Sequence, residues 1–459
     1  MKDLTKGPVG RHIVQLSAFI ALTTMFQTLY FLADLYFVGR LGKEAIAGVG
    51  LAGNLMMIVL ALTQSLGVGA TSLIAQALGR KDRRQAELLF NQALALSNLV
   101  GLVFGLGMFA LRDAYARWLA ADATTAALGV QYLDWFIPAL VLQFVLVAMG
   151  AALRGMGDLK VPTVIQVFTV VLNIVLAPVL ILGWITGRPL GVAGAALASL
   201  IAIAVGCVAF VAYFRRAESP LRFRPDDWRP QPRLWWQMLA IGLPVGGEFA
   251  LMSVYLMLVY DIIRPFGAAA QAGFGIGLRV IQALFLPAVA IGFATAPVIG
   301  QNYGARLGSR VRQGFYSAAA MSGAIMLTLA LLCHIAPAAM VGFFSRDPAV
   351  VAFGSEYLRI ISWNFVASGL VFVSSSVFQG IGHTLPALCT SAMRLLVFAL
   401  PAYVLAQQPG FQMRHVWYLS VATVTLQMCA NLWLLHRELA RKLGPQAVSA
   451  GPQLAVAEP

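Results

Sequence analysis

The sequence has few charged residues, since Asp, Glu, Lys and Arg fill only 11% of its 459 positions. A water-soluble domain carries about a quarter charged residues, because its surface faces water. Here 60% of the residues are hydrophobic and the mean hydropathy is +0.81. A chain of this composition cannot cover a globular surface with polar groups. We therefore expect the lipid bilayer to surround much of it.

Cysteines are few, and recognisable catalytic or nucleic-acid-binding motifs are missing. The four cysteines, Cys207, Cys333, Cys389 and Cys429, lie in apolar runs without CxxC spacing, so neither a disulfide framework nor a metal centre is expected. No RNP, zinc-finger or helix-turn-helix pattern accompanies the net charge of +14, which argues against nucleic acid as a partner. The five histidines are scattered, and there is no HExxH or GxSxG motif. We expect no cofactor and no enzymatic activity.

Long apolar runs are abundant instead, and each is long enough to cross a bilayer, which takes about 20 residues as a helix. The N-terminal run lacks a small-residue cleavage site, so we expect it to remain as the first helix. The sequence thus predicts an all-α, polytopic membrane protein with about 12 transmembrane helices. The runs lie near residues 13–38, 46–78, 88–111, 127–151, 160–184, 190–214, 238–263, 270–300, 315–343, 352–379, 384–407 and 414–436.

The basic residues predict the orientation. With a cytoplasmic N-terminus, 21 Lys and Arg residues fall on the cytoplasmic side and eight on the other side. This asymmetry predicts that both termini are cytoplasmic, in a bacterial-type inner (plasma) membrane.

The second half of the sequence repeats the first at a constant offset of 225 residues. We predict two six-helix bundles, residues 1–214 and 238–437, joined by a cytoplasmic linker at 215–237 and followed by a disordered tail at 438–459. Because six is even, both bundles face the same way, and their pseudo-twofold axis runs along the membrane normal. Equivalent pairs include Gly42 and Gly267, Gly48 and Gly273, Gln76 and Gln301, Tyr132 and Tyr357, and Gly155 and Gly380.

Four segments carry a family resemblance: LADLYFVGRLGKEAIAGVGLAGN (32–54), VGATSLIAQALGRKDRRQAE (68–87), LRGMGDLKVPT (153–163) and FATAPVIGQNYGA (293–305). They resemble the multidrug and toxic compound extrusion (MATE) transporters. The resemblance extends from about residue 10 to residue 437 and implies the MATE fold. It also implies an antiporter that exports lipophilic, often cationic small molecules by alternating access, driven by protons or sodium, and that works as a monomer.

Asp34 is the sharpest candidate for coupling transport to a cation. It follows an uncharged run in the first span, where an ionised side chain is costly and carboxylates are functional by default. Apolar surroundings disfavour its charged form, which suits a group that binds and releases protons. A structural hydrogen bond near the outer headgroups is the alternative. The resemblance implies that Asp34 is the coupling acid and that Asn173, in the fifth span, is its partner.

Two substitutions favour protons over sodium. Many family members have a second acid one turn after the position of Asn173, where this chain has Ala177, and sodium-coupled NorM-like members have an acid where this chain has Ser368. Without these carboxylates the chain lacks hard oxygen ligands that a sodium ion would favour. A proline common in the first helix of the family is replaced by Phe19, so a bend of that helix is not expected from its sequence.

In the second half, Glu248 follows Pro244 as in the P-x-x-x-E of DinF-like members, so the sequence is more similar to that branch than to NorM-like members. Glu248 and Asp261 are candidates for substrate binding or coupling, although we interpret Asp261 and Arg264 as an i, i+3 ion pair. The roles of Arg279 and Arg394 remain open. Candidates for lining a cavity are Gln27, Tyr30, Tyr36, Asn54, Gln166, Tyr255, Asn364 and Ser368.

Two alternative functions remain. A sodium-coupled exporter of the same family is one. The other is a flippase for lipid-linked precursors from the wider superfamily, which typically has 14 spans and an arginine-rich cavity.

Overall fold

The computed structural model describes residues 3–184, 187–216 and 221–443, and these residues form helices and connecting turns without a strand. The first half contains six helices: α1 (Val9–Gly39), α2 (Lys43–Gly79), α3 (Arg83–Leu119), α4 (Ala123–Gly155), α5 (Lys160–Ile181) and α6 (Gly191–Phe214). The second half contains α7 (Pro232–Ile263), α8 (Ala268–Gly304), α9 (Gly308–Ile335), α10 (Pro337–Gly342), α11 (Pro348–Ile361), α12 (Asn364–Gly380), α13 (Leu385–Ala406) and α14 (Met413–Leu443).

Length and apolarity confirm a multi-pass membrane protein. Within the described ranges, 11 helices are each long and apolar enough to cross a membrane, and there are 12 such spans if α11 and α12 count as one. These two helices are bent by 55° at Ser362–Trp363, so the single span predicted at 352–379 is broken. No proline marks this break in the sequence.

The helices form two compact units whose boundaries fall inside α1 and α7. The first unit contains Phe19–Leu243, and the second contains Leu4–Ala18 and the chain from Pro244 onwards. Residues 4–18, which we had expected in the N-terminal bundle, thus belong with the second unit. Polar contacts explain this: Leu4 N–H donates to Gln301 Oε1 (3.0 Å), and Arg310 donates to the carbonyl of Gly7 (2.9 Å).

Glycines of the repeat mark equivalent helix crossings in the two units. A Cβ on Gly155 of α4 would lie 2.9 Å from the carbonyl oxygen of Thr71 on α2. A Cβ on Gly380 of α12 would lie 2.8 Å from the carbonyl oxygen of Ala296 on α8. Real Cβ atoms do not approach so closely, so each crossing needs glycine.

The linker packs against α3 of the first unit. Asn91 is fully buried, and its Nδ2 donates to the carbonyl of Arg222 (2.9 Å). Its Oδ1 accepts from the backbone N–H of Arg224 (3.2 Å) and from Trp228 Nε1 (3.1 Å). Residues 217–220 of the predicted linker lie outside the described residues. The described part is therefore a fixed segment with a 3-10 turn at Pro225–Trp228.

The C-terminal helix is longer than expected. Residues 438–443, which we predict as part of a disordered tail, instead belong to α14, which continues to Leu443. Glu438 is within ion-pair distance of three basic groups here, His383 (3.0 Å), Arg441 (3.2 Å) and Lys442 (3.4 Å). Residues 444–459 of the predicted tail lie outside the described residues.

Candidate functional site

A polar cluster lies among the apolar helices α1, α5 and α6 of the first unit. Ser199 on α6 is its centre and is almost fully buried. The Tyr30 hydroxyl lies 2.7 Å from Ser199 Oγ, and Asn173 Nδ2 donates to the same atom at 3.3 Å. Asn173 is 1% exposed, and its Oδ1 is buried without a hydrogen bond to any described residue. Sequence reasoning found Tyr30 and Asn173 but not the serine that joins them.

Asp34 lies one helical turn after Tyr30 on α1. Its Oδ1 is buried and has no hydrogen-bond partner in the described part of the chain. It lies close enough to the hydroxyls of Tyr30 and Tyr132 to interact with them electrostatically. A buried carboxylate oxygen normally finds a donor, so an unsatisfied one marks a group that can take up a cation or a proton.

The other predicted residues of the first unit do not join this cluster. Gln27, Tyr36 and Asn54 have exposed side chains. Tyr36 accepts a hydrogen bond from Arg40 at 2.5 Å, and Asn54 interacts with Tyr115. Gln166 is half-buried, and its carbonyl accepts from Thr169 Oγ1. The structure thus groups Asp34, Tyr30 and Asn173 and separates them from these four.

The second unit contains a cavity of about 370 Å³ among α7, α8 and α11–α14. Glu248 lies in its wall, where Ser375 Oγ approaches both carboxylate oxygens, at 3.2 and 3.3 Å. Most of the wall is apolar. The polar lining residues are Glu248, Tyr255, Tyr357, Asn364, Ser368, Ser375, Gln379, Ser391, Arg394, Ser420 and Gln427. The predicted residues Glu248, Tyr255, Asn364 and Ser368 therefore share one cavity.

A tyrosine–serine pair occurs in both units. The Tyr255 hydroxyl lies 3.0 Å from Ser420 Oγ, as Tyr30 lies beside Ser199, and Asn364 Nδ2 donates to Ser420 Oγ at 3.3 Å. Tyr255 is the repeat equivalent of Tyr30. The two asparagines come from different helices, since Asn173 lies on α5 and Asn364 begins α12.

Asp261 lies outside the cavity. It lines a separate, open surface pocket together with Arg264, and no ion pair within 4.0 Å joins the two side chains in the described structure. The i, i+3 pair expected from the sequence is therefore wrong. The reason is local, because α7 ends at Ile263 and Arg264 begins a 3-10 turn, which changes the helical spacing.

Metal-ligand groups are not clustered. Across residues 3–184, 187–216 and 221–443, no group of three or more His, Cys, Asp and Glu side chains could hold a metal ion. All four cysteines are free. The polar groups of the two sites are carboxyl, hydroxyl, amide and guanidinium groups.

Comparison with known proteins agrees with this architecture. The MatE family profile matches the chain twice, over residues 20–179 and 244–404. Probable multidrug resistance protein YoeA of Bacillus subtilis is 25% identical over 408 residues, with 87% of each chain covered. Probable multidrug resistance protein NorM of Thermotoga maritima is 24% identical over 459 residues, covering 95% of this chain and 96% of that protein.

A solved structure also shares the fold. The crystal structure of MATE in the bent conformation has a TM-score of 0.90 to this chain at 24% identity, covering 97% of this chain and 98% of that chain. The two family matches are offset by nearly the repeat length and together span most of the chain. The protein is therefore a member of the MatE family of multi-pass membrane transporters, with the MATE fold.

Proposed function

We propose that this protein exports lipophilic, cationic small molecules across a bacterial-type inner membrane in exchange for protons, by alternating access. The observation that carries the proposal is the buried Asp34 carboxyl oxygen, which has no hydrogen-bond partner in the described chain. An acid oxygen left unsatisfied one helical turn from Tyr30 can load and release a proton without breaking a structural bond. Relatives named as multidrug resistance proteins support the substrate class.

Protons fit the first unit better than sodium does. Sodium is a hard cation that needs several oxygen ligands, and a second carboxylate would supply them. The position one turn after Asn173 holds the buried Ala177, and Ser368 in the second-unit cavity offers only a hydroxyl. The acid that we assign to the Tyr30–Ser199–Asn173 group is thus Asp34, which lies one turn after Tyr30 on α1. On the same grounds we propose the DinF-like branch, with Glu248 taking part in substrate binding or coupling.

The proposal also covers the orientation of the protein in the membrane and its oligomeric state. Both termini face the cytoplasm, because 21 basic residues lie on that side against eight on the other. The protein works as a monomer with one small-molecule substrate at a time and without a bound cofactor.

The test is dye efflux from proteoliposomes with a proton gradient or a sodium gradient imposed separately. The wild type and Asp34→Asn are compared, with Asp113→Asn as the matched control, because Asp113 is exposed on α3 and 52% of its side chain is accessible. We expect proton-driven efflux of a cationic dye in the wild type and in Asp113→Asn, and loss of efflux in Asp34→Asn. Efflux driven by a sodium gradient alone would show that the coupling ion is sodium and not the proton. Unchanged efflux in Asp34→Asn would show that Asp34 is not the coupling acid.

A further inference from the structure

The cavity of the second unit contains two opposite charges that do not neutralise each other. Glu248 and Arg394 both line it, yet no ion pair within 4.0 Å joins them in the described chain. The Arg394 guanidinium lies over the ring of Tyr255, with Cζ 4.8 Å from the ring centroid. Glu248 and Tyr255 are seven residues apart on α7, so they share one face and are separated by about 10 Å along the helix axis. The cavity therefore has an acidic end and a basic end.

The acidic end is a single carboxylate with one donor. Ser375 Oγ approaches both oxygens of Glu248, at 3.2 and 3.3 Å. One hydroxyl carries one proton, so it satisfies one of the several acceptor positions of a carboxylate. The remaining positions face a cavity whose wall is largely apolar. A cationic group of a ligand is the natural occupant of this end.

The basic end has donors and acceptors without partners. Arg394 Nε is buried and forms no hydrogen bond with any described residue. Asn364, which is 6% exposed, is fixed by its bond to Ser420, and its Oδ1 is also buried without a partner in the described structure. Tyr255, which stacks under Arg394, is held by the same serine. A guanidinium that is positioned but not paired is costly, and an anionic group of a ligand would remove that cost.

We propose that this cavity binds amphiphilic zwitterions, with the cationic group at Glu248 and a carboxylate or similar anionic group at Arg394. Arg394 is thus the specificity-determining residue that separates zwitterions from simple cations. Phe249, Phe285 and Phe372 line the wall and pack against the apolar body of the ligand. The proposal rests on the export function above and narrows its substrate class.

The test is binding to the purified full-length protein in detergent, measured by calorimetry without an ion gradient. One probe is a biphenyl that carries an aminomethyl group at the para position of one ring and a carboxylic acid at the para position of the other. Its rigid body separates an ammonium from a carboxylate. The second is its methyl ester, which keeps the ammonium and loses the negative charge. Because a charge-assisted hydrogen bond is the difference between them, we expect the acid to bind the wild type about tenfold more tightly than the ester.

Four variants test which residues cause the preference for the acid over the ester. Arg394→Gln should weaken the acid about tenfold and leave the ester within about twofold, while Arg394→Lys keeps the preference for the acid because it keeps the charge. Glu248→Gln should weaken both probes. Arg279→Gln is the matched control, because Arg279 is exposed on α8 and does not line the cavity, and it should change neither affinity.

Three outcomes would overturn the proposal: equal affinities for acid and ester in the wild type, an equal loss of both in Arg394→Gln, or no binding of either probe. The second outcome would mean that Arg394 is structural. Failure of the export function is detected separately, as absent gradient-driven efflux of a cationic dye from wild-type proteoliposomes. A protein that prefers the acid but moves no dye would keep this inference and lose the proposed export.

Discussion

Asn91→Ala should loosen the linker from the first unit, and the structure gives the size of the effect. The substitution removes three hydrogen bonds between α3 and the linker, to the carbonyl of Arg222, to the N–H of Arg224 and to Trp228 Nε1. Each such bond contributes about 1 kcal/mol net, so local opening becomes easier by about 3 kcal/mol. The population of the open linker then rises roughly 100-fold.

The opening of the linker can be measured as trypsin cleavage of one peptide bond. Arg224 and Arg229 each precede a proline and resist cleavage, whereas Arg222 precedes Phe223. The carbonyl of the Arg222–Phe223 bond is the one that Asn91 binds. Cleavage follows the open population when the linker opens and closes faster than the protease cuts. Mass spectrometry of the products should therefore show cleavage at Arg222 about 100-fold faster in Asn91→Ala than in the wild type.

Asn98→Ala is the matched control. Asn98 lies two turns further along α3, and its Nδ2 donates only to the carbonyl of Leu94 in the same helix. It should leave cleavage at Arg222 unchanged. An increase below about fivefold in Asn91→Ala, equivalent to about 1 kcal/mol, would show that the three bonds do not hold the linker. An equal increase in Asn98→Ala would have the same meaning.

Three further predictions concern the linker salt bridge, a glycine crossing and the first polar cluster. Arg84 donates a hydrogen bond to Asp227 and thereby lowers the pKa of that carboxyl. The bond therefore stabilises the fold fully above the unfolded-state pKa of about 3.9, and this stabilisation is lost as the pH falls through the lower folded-state pKa. Asp227→Asn should therefore lower the free energy of unfolding by about 1 kcal/mol at pH 7, and thermal melting at a series of pH values should show that this loss disappears at the acid end. Gly155→Ala should destabilise the protein by about 1–3 kcal/mol in the same assay, whereas Gly53→Ala, with nothing within 4 Å of its Cβ, should not. Ser199→Ala removes the hydrogen bonds of Tyr30 and Asn173 to their shared partner and should reduce proton-driven dye efflux at least about tenfold, since both bonds are lost at once.

The membrane spans and the repeat could be predicted from the sequence, because both depend on local composition and on spacing along the chain. The family match at 20–179 and 244–404 confirms the repeat. The break between α11 and α12 could not be predicted, since residues 352–379 read as one apolar run and no proline interrupts them. The placement of residues 4–18 in the second unit depends on contacts with Gln301 and Arg310, which are 297 and 303 positions away from their partners.

The candidate sites show the same limit. Glu248 stood out from the sequence because a charge within an apolar run is conspicuous. Ser199 and Ser420 did not, because a serine within an apolar helix usually bonds its own preceding turn, as Ser199 also does with Ala195. The position of the Arg394 side chain could not be predicted, since a long basic side chain can reach either a partner or the membrane surface. In the structure it lies over the ring of Tyr255.

The two tyrosine–serine pairs show what the two halves of the chain share. Tyr30 and Tyr255 occupy equivalent positions, but their serines do not, because the equivalent of Ser199 is Val424 and the equivalent of Ser420 is Ala195. The asparagines differ between the halves. The equivalent of Asn173 is Phe398, and the equivalent of Asn364 is Ala139, so the two amides do not come from one repeated position. The two halves thus form similar hydrogen-bonded groups with amides from different helices, and their acids, Asp34 and Glu248, also occupy non-equivalent positions of the repeat.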